Sequence, residues 1–332
     1  PLRDYLFGFI AEIAKIGNPF APVVNALAFG DMFGRLREIF LGIAKERKLP
    51  KLAGKSLHQQ ARQYFDPPGE ADCLLLVDAF NEYFYPQTGM DALEVLKEAG
   101  CQVKILRTIG AGRTLISKGF LRQARQHAIK LIGEITRLDP AGKLPVIGLE
   151  PSEIYTLKDE FLDLLPNNEY VTRLAERAYM IDEFLLRSGV DGASKLSKLS
   201  RREEHKNNRT NVLVHGHCYQ KAQPPAKDGL PTGVAATVAM LEGMEYKVTV
   251  VDDGCCGMAG AFGYEAEHYG LSQQVGNLVL IPAIKRAEES IIAAAGISCQ
   301  SQIEDGTGRR AFHPISLVAR RGSIQPDRGT WK

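Results

Sequence analysis

Three stretches in the second half of the chain decide the fold: 211–221 (NVLVHGHCYQK), 246–260 (YKVTVVDDGCCGMAG) and 291–303 (IIAAAGISCQSQI). Each opens on a short run of aliphatic and β-branched residues. Each then passes through a glycine-containing turn to cysteine: Cys218, the pair Cys255-Cys256, and Cys299. Short apolar runs bounded by turn residues and separated by helical patterns predict strands of a parallel sheet covered on both faces. In such a sheet the carboxyl ends of all strands lie along one edge, where ligands bind. Cysteines separated by 36 and 42 intervening positions (218 to 255, 256 to 299) are thereby expected to converge.

The same alternation occurs upstream. Strands are expected at 73–77, 102–107 and 144–149, with helices over 88–100, 117–137 and from Ser152, and a further helix over 166–186. The two halves are related by nearly constant offsets. Thr88-Gly89 matches Thr232-Gly233 at a shift of 144, and Gln102-Val103 matches Lys247-Val248 at 145. Gly110-Ala111-Gly112 matches Cys255-Cys256-Gly257 at 145, and Ser152-Glu153 matches Ser298-Cys299 at 146. Such constancy indicates a diverged internal repeat. The expected class is α/β: two tandem, pseudo-symmetric parallel-sheet units with covering helices, plus an N-terminal helical segment. The expected parts are a helical linker or docking segment (1–66), a degenerate first repeat (67–190), a polar linker (191–209) and a second repeat (210–325). Thiols occur at the strand ends of the second repeat only; Asn81 is the expected counterpart of Cys218.

The N-terminal segment carries Leu2, Leu6, Phe9, Ile10, Ile13 and Ile16 at three- and four-residue steps, one apolar stripe of a helix broken at Asn18-Pro19. Further helices are expected over 21–28 and 32–46. The stripe is read as packing on the body of the protein, with a membrane surface or a partner as the alternatives. The whole chain has 332 residues, is 45% hydrophobic and 24% charged, and carries a formal charge of +2. That balance gives no electrostatic footprint for nucleic acid. No apolar run reaches the roughly 18 residues of a membrane span, and no secretory signal is visible. The first residue is Pro1, so a piece of a longer polypeptide is expected. Cys73 and Cys101 flank apolar runs and are read as thiols in or beside core strands.

Four converging thiolates repel one another, and a soft metal ion or an iron–sulfur core neutralises them. Vicinal Cys255-Cys256 suits a multi-iron centre better than one tetrahedral ion, while Gly257 and Gly260 let the backbone pass close to a bulky group. His215 and His217 flank this set at the end of a strand, with Lys221 one turn on. They are candidates for a replacement ligand, a donor to sulfur or a proton acceptor. His268 is a weaker candidate, and His313-Pro314 reads as a helix start.

The stretches 215–221, 252–265 and 296–303 resemble the cysteine-rich "CCG" repeat. That repeat is found in the heterodisulfide reductase B subunit, in iron–sulfur subunits of glycolate and anaerobic glycerol-3-phosphate dehydrogenases, and at the C-terminus of FAD-linked 2-hydroxyacid dehydrogenases. The likeness is greatest to the last group, similar to D-lactate and D-2-hydroxyglutarate dehydrogenases, and extends to 77–89, 112–120 and 150–160. It implies an electron-transfer module with an iron–sulfur cluster on Cys218, Cys255, Cys256 and Cys299. FAD and a ferredoxin-type domain would lie on the remainder of the same polypeptide, a membrane-side electron acceptor is allowed, and the location would be cytoplasmic, peripheral to the membrane. The family repeat commonly ends in C-x-x-C, but here Gln302 takes the last place, so the resemblance implies that His217 or Glu153 completes the set. Two alternatives stay open: a structural mononuclear zinc or iron site without a redox role, and a catalytic site using Cys256 with His215, His217, Lys221 and Glu153.

Overall fold

The computed structural model describes residues 1–29, 31–65, 69–187, 193–199, 210–252 and 254–327. Two compact units emerge: Pro1–Leu41, Leu49–Lys97 and Cys101–Ile181 form the first, and Gly42–Lys48, Glu98–Gly100 and Asp182–Lys332 the second. Among the described residues no helix is long and apolar enough to cross a membrane.

The first unit holds a parallel sheet of strands β1 (Cys73–Leu76), β2 (Val103–Ile105), β3 (Val146–Gly148) and β4 (Ala178–Met180), in the order β2-β1-β3-β4. Every residue of β1 and β3 is buried, which is why their sequences are continuously apolar rather than alternating. Helices Pro86–Glu98 and Leu121–Leu138 connect successive strands. The second helix buries Ala124, Ala128, Leu131, Ile132 and Ile135 on one face, the three- and four-residue spacing of an amphipathic helix.

The second unit repeats this plan with β5 (Asn211–His215), β6 (Lys247–Val250), β7 (Ile291–Ala294) and β8 (Ala311–Phe312), all parallel in the order β6-β5-β7-β8. The two sheets thus share one topology, as the offsets predict. Their registers also define the correspondence between halves. Leu74 pairs with Lys104 and Val146, and Leu213 pairs with Thr249 and Ile292. Leu74 and Leu213 therefore correspond, at a shift of 139 (74 to 213). The same shift carries helix Ala79–Tyr83 onto helix Cys218–Lys221 (79 to 218). Ala79, not Asn81, stands opposite Cys218. The offsets around 145 do not extend to this strand because the connection after it differs in length.

Three further expectations change. The helix over 166–186 is interrupted by β4, which with β8 supplies the fourth strand of each sheet. These strands span three and two residues, too few for a period-two pattern to register. The N-terminal stripe does not form one buried face. The chain breaks at Phe9 into helices Leu2–Gly8 and Ile10–Gly17, so Leu2 (68%) and Ile16 (74%) are exposed, while Tyr5 and Phe9 pack on Phe120. The helix expected to reach Glu46 stops at Leu41, because Gly42 adopts φ +62° and Ile43 then bridges antiparallel to Glu265. Within the segment read as a polar linker, Lys195–Leu199 forms a short helix with Leu196 and Leu199 buried; residues 191–192 and 200–209 lie outside the described residues.

Candidate metal centre

The strand ends of the second sheet bring His215, Cys256 and Cys299 together. One ligand atom of each lies within 4.8 Å of the others, and all three residues are buried. His215 is the last residue of β5, Cys256 lies in the turn after β6, and Cys299 sits in the first turn of helix Ile297–Thr307 after β7. Cys255 adjoins this group and accepts a hydrogen bond from the Gly257 amide at 3.3 Å. Cys218 is exposed at the first position of helix Cys218–Lys221. Its sulfur is 3.8 Å from His217 Nδ1.

His217 has a definite structural task. Its Nδ1 accepts from the Tyr219 amide at 3.2 Å, capping the helix that carries Cys218. Its ring lies over Gly296, where a Cβ would collide with it, so the glycine three residues before Cys299 is required by the histidine next to Cys218. His313 caps helix Pro314–Ala319 in the same way, from Nδ1 to the Ile315 amide at 3.1 Å, with Pro314 at its first position, as expected. His268 pairs with Glu265 at 2.7 Å and stacks on Phe262. Lys221 Nζ donates to the Gly254 carbonyl at 2.8 Å and so ties the Cys218 helix to the Cys255-Cys256 turn.

A buried chain supports the same helix. The His217 amide donates to Gln220 Oε1 (3.2 Å), Gln220 Nε2 donates to Thr237 Oγ1 (3.0 Å), and that hydroxyl donates to Asp182 Oδ2 (2.5 Å). Burial, reinforced by Glu183, pushes the Asp182 carboxyl up to about 7. Sequence reasoning passed over Asp182, Glu183 and Thr237, which carry no local motif.

Glu153 belongs to the first unit. Its Oε2 accepts from the Ala111 amide at 2.6 Å, and burial, with Asp78 adding to it, pushes its carboxyl up to about 7. It lines a cavity with Ala79, Gly110, Gly112 and His127. By register, Ala79, Gly110 and Glu153 are the counterparts of Cys218, Cys255 and Cys299. Gln302, where a further thiolate was expected, is wholly buried. It accepts from Arg47 Nη1 at 2.7 Å and donates to the Ser272 carbonyl at 3.0 Å.

The thiol set suits a thiophilic centre. The hydrogen bond with Cys256 and burial push the Cys255 thiol up. For Cys256, the bond to Cys255 pulls downward, but Cys299 and burial outweigh it and the thiol is held above its ordinary value. Sulfur atoms so placed hold their protons unless a cation replaces them, as a metal ion or iron–sulfur core does. The backbone leaves no slack here. Gly257 has φ +89°, and a Cβ on it would strike the Ser272 carbonyl; one on Gly276 would lie 2.6 Å from Gln302 Nε2 and 3.0 Å from the Cys256 carbonyl. His215, Cys256 and Cys299 converge; Cys255 adjoins them through the Cys255-Cys256 pair, and Cys218 stands exposed at the start of its helix, outside this three-residue group.

A cysteine-rich unit of this construction is a known class: residues 212–304 match the cysteine-rich domain family designated CCG. The chain as a whole is homologous to the C subunit of anaerobic glycerol-3-phosphate dehydrogenase from Escherichia coli K12, 28% identical over 330 residues, covering 96% of this chain and 76% of that protein. D-2-hydroxyglutarate dehydrogenase of the same organism is 26% identical over 333 residues, and this chain spans 30% of its length. Lactate utilization protein A of Shouchella clausii is 24% identical over 196 residues, 57% of this chain and 72% of that protein. Residues 212–304 are thus a CCG-type cysteine-rich region, and nearly the whole chain is similar to proteins named as dehydrogenases or dehydrogenase subunits.

Proposed function

We propose that this chain is the electron-transfer module of an FAD-linked dehydrogenase whose substrate is a small anionic molecule bearing a secondary alcohol, a 2-hydroxy acid being the leading case. The observation that carries this reading is the convergence of His215, Cys256 and Cys299 within 4.8 Å at the strand ends of the CCG region. The relatives' names support the substrate class: 2-hydroxyglutarate, lactate and glycerol 3-phosphate each carry a CH–OH group. Its oxidation to a carbonyl releases two electrons and two protons, which a flavin on a partner domain or subunit would accept together and release as single electrons. An iron–sulfur centre here would supply those one-electron steps. Cys256, Cys299 and His215, whose ligand atoms lie within 4.8 Å of one another, would hold it with Cys255 beside them, and Cys218 would have to be drawn in from its exposed place at the start of helix Cys218–Lys221. Exposed Leu2, Ile16, Phe20, Ile39 and Phe40 support docking of the N-terminal segment on a partner of the same dehydrogenase.

The test is iron and acid-labile sulfide analysis of anaerobically purified protein, beside Cys256→Ser. Stoichiometric iron and sulfide with broad visible absorption are expected, and both should be lost in the variant. A colourless protein containing only zinc would overturn the redox reading in favour of a structural ion on the same residues.

A further inference from the structure

Arg47 is an unusual residue to find buried in this unit. It lies 165 residues upstream of the start of the cysteine-rich region (47 to 212), in the short segment Gly42–Lys48 that groups with the second unit, and its side chain has no solvent exposure. Nε donates to the Gly263 carbonyl (2.7 Å). Nη1 donates to Gln302 Oε1 (2.7 Å) and Asp305 Oδ2 (2.9 Å), and Nη2 donates to Ser272 Oγ (2.7 Å). The guanidinium lies 5.0 Å from the Tyr269 ring centroid and 6.0 Å from that of Tyr264. An isolated buried cation is costly, and this one is retained with a full set of partners.

Those partners stand directly behind the thiols. Gln302 follows Cys299 by three residues on helix Ile297–Thr307, one turn along the same face. The Gln302 amide is held at both ends, by Arg47 and by the Ser272 carbonyl, and that carbonyl backs Gly257, the residue after Cys256. Gln302 Nε2 and the Cys256 carbonyl also press on the same side of Gly276. Engaged in this way, Gln302 is not available as a ligand.

We propose that Arg47 is a positioning residue for the cysteine centre: it locks Gln302 and the Ser272 carbonyl behind the Cys256-Gly257 turn, and it places a fixed positive charge beside the Cys299 helix that favours the reduced form of the bound centre. This rests on the iron–sulfur reading above. Reduction adds one electron, and therefore one negative charge, to the centre; a nearby cation stabilises that state and a nearby carboxylate opposes it. The two members of the ion pair should accordingly act with opposite sign. A buried unit charge about 10 Å from a redox centre, at an effective dielectric of about 20, changes the reduced-to-oxidised ratio on the order of tenfold.

The experiment is spectroelectrochemical titration of the full chain reconstituted anaerobically with iron and sulfide, comparing Arg47→Met, Arg47→Lys and Asp305→Asn with the unaltered chain. At fixed applied potential, Arg47→Met should lower the reduced-to-oxidised ratio roughly tenfold, equivalent to about 59 mV for one electron. Asp305→Asn, which leaves Arg47 in place, should raise the ratio. Arg47→Lys should keep most of the charge effect but take up less iron, since an ammonium cannot span Gln302, Ser272 and Gly263 together. Shifts of the same sign, or no shift in Asp305→Asn with iron content retained, would overturn the assignment while leaving the module's redox function intact. Failure of the unaltered chain to take up iron and sulfide would instead remove the redox function itself, and this assignment with it.

Discussion

The two sheet units are one backbone plan carrying two chemistries. In the first, the strand ends present Asp78-Ala79, Gly110-Ala111-Gly112 and Glu153. In the second, the matching positions are His217-Cys218, Cys255-Cys256-Gly257 and Cys299. The backbone devices persist while the side chains change. Asp78 caps its helix through the Phe80 and Asn81 amides, as His217 does through Tyr219. Gly112 and Gly257 share the left-handed conformation, at φ +81° and +89°. Where the second unit has a cluster of thiols, the first has the buried carboxyls of Asp78 and Glu153, the latter held by the Ala111 amide. The repeat is a scaffold for a strand-end site: its first copy places a hydrogen-bonded carboxyl beside a small cavity there, and its second gathers two thiols and a histidine.

The largest expected difference tests whether the two glycine turns are equally constrained. In Gly257→Ala the new methyl meets the fixed Ser272 carbonyl, whereas in Gly112→Ala it lies 3.2 Å from the His127 ring, which is a side chain and can move. Urea denaturation of the metal-free chain should show a loss of about 3 kcal/mol or more for Gly257→Ala and about 1 kcal/mol for Gly112→Ala. Equal losses would mean that the second turn is no tighter than the first.

Next comes pH. The Glu153 carboxyl is raised from its ordinary 4.5 to about 7 by burial, with Asp78 adding to it. Its protonated form is favoured in the folded state, so the stability it contributes is complete below pH 4.5 and is lost as pH rises through about 7. The span is up to about 3 kcal/mol. Glu153→Gln, which keeps an acceptor for the Ala111 amide, should make the fall in stability between pH 4.5 and 7 shallower, leaving the share due to Asp182, whose carboxyl is likewise raised to about 7. An unchanged profile would show that another group governs it.

The smallest effects concern the caps. Asp78→Ala and His217→Ala should each cost about 1 kcal/mol of stability, read from denaturant midpoints. His217→Ala should in addition increase the alkylation rate of Cys218 relative to Cys256, whereas Asp78→Ala should leave that ratio unaltered.

Six of the eight strands among the described residues were legible in the sequence because each is a short apolar run beside a turn. β4 and β8 were not, since Ala178–Met180 and Ala311–Phe312 are too short for periodicity and continue into helix-forming residues. The duplication was legible through Thr-Gly, the glycine turn and Ser152/Ser298, but the place of Ala79 opposite Cys218 required the register of both sheets. Cys256, Cys299 and His215 could be read as one site because strand ends converge. The roles of His217 and His313 as helix caps depend on the dihedrals of the preceding turn, and only His313-Pro314 advertised this. Arg47 was invisible: in GIAKERKLP (42–50) it is one cation among several, and every hydrogen bond described for its side chain reaches more than 200 residues along the chain.

That reach bears on how the protein is made. Arg47 leaves the ribosome before its hydrogen-bonding partners between Gly263 and Asp305, which follow more than 200 residues later. At synthesis rates of about 5–20 residues per second, the side chain waits on the order of 10 seconds or longer for them. The intervening residues 49–97 and 101–181 can meanwhile complete the first sheet. Contacts so distant in sequence close slowly, so the cysteine-rich unit is expected to be the last part of the chain to assemble. Until residues 42–48 are seated, the hydrogen bonds from Arg47 that back its thiols are missing and the strand-end pocket is unfinished.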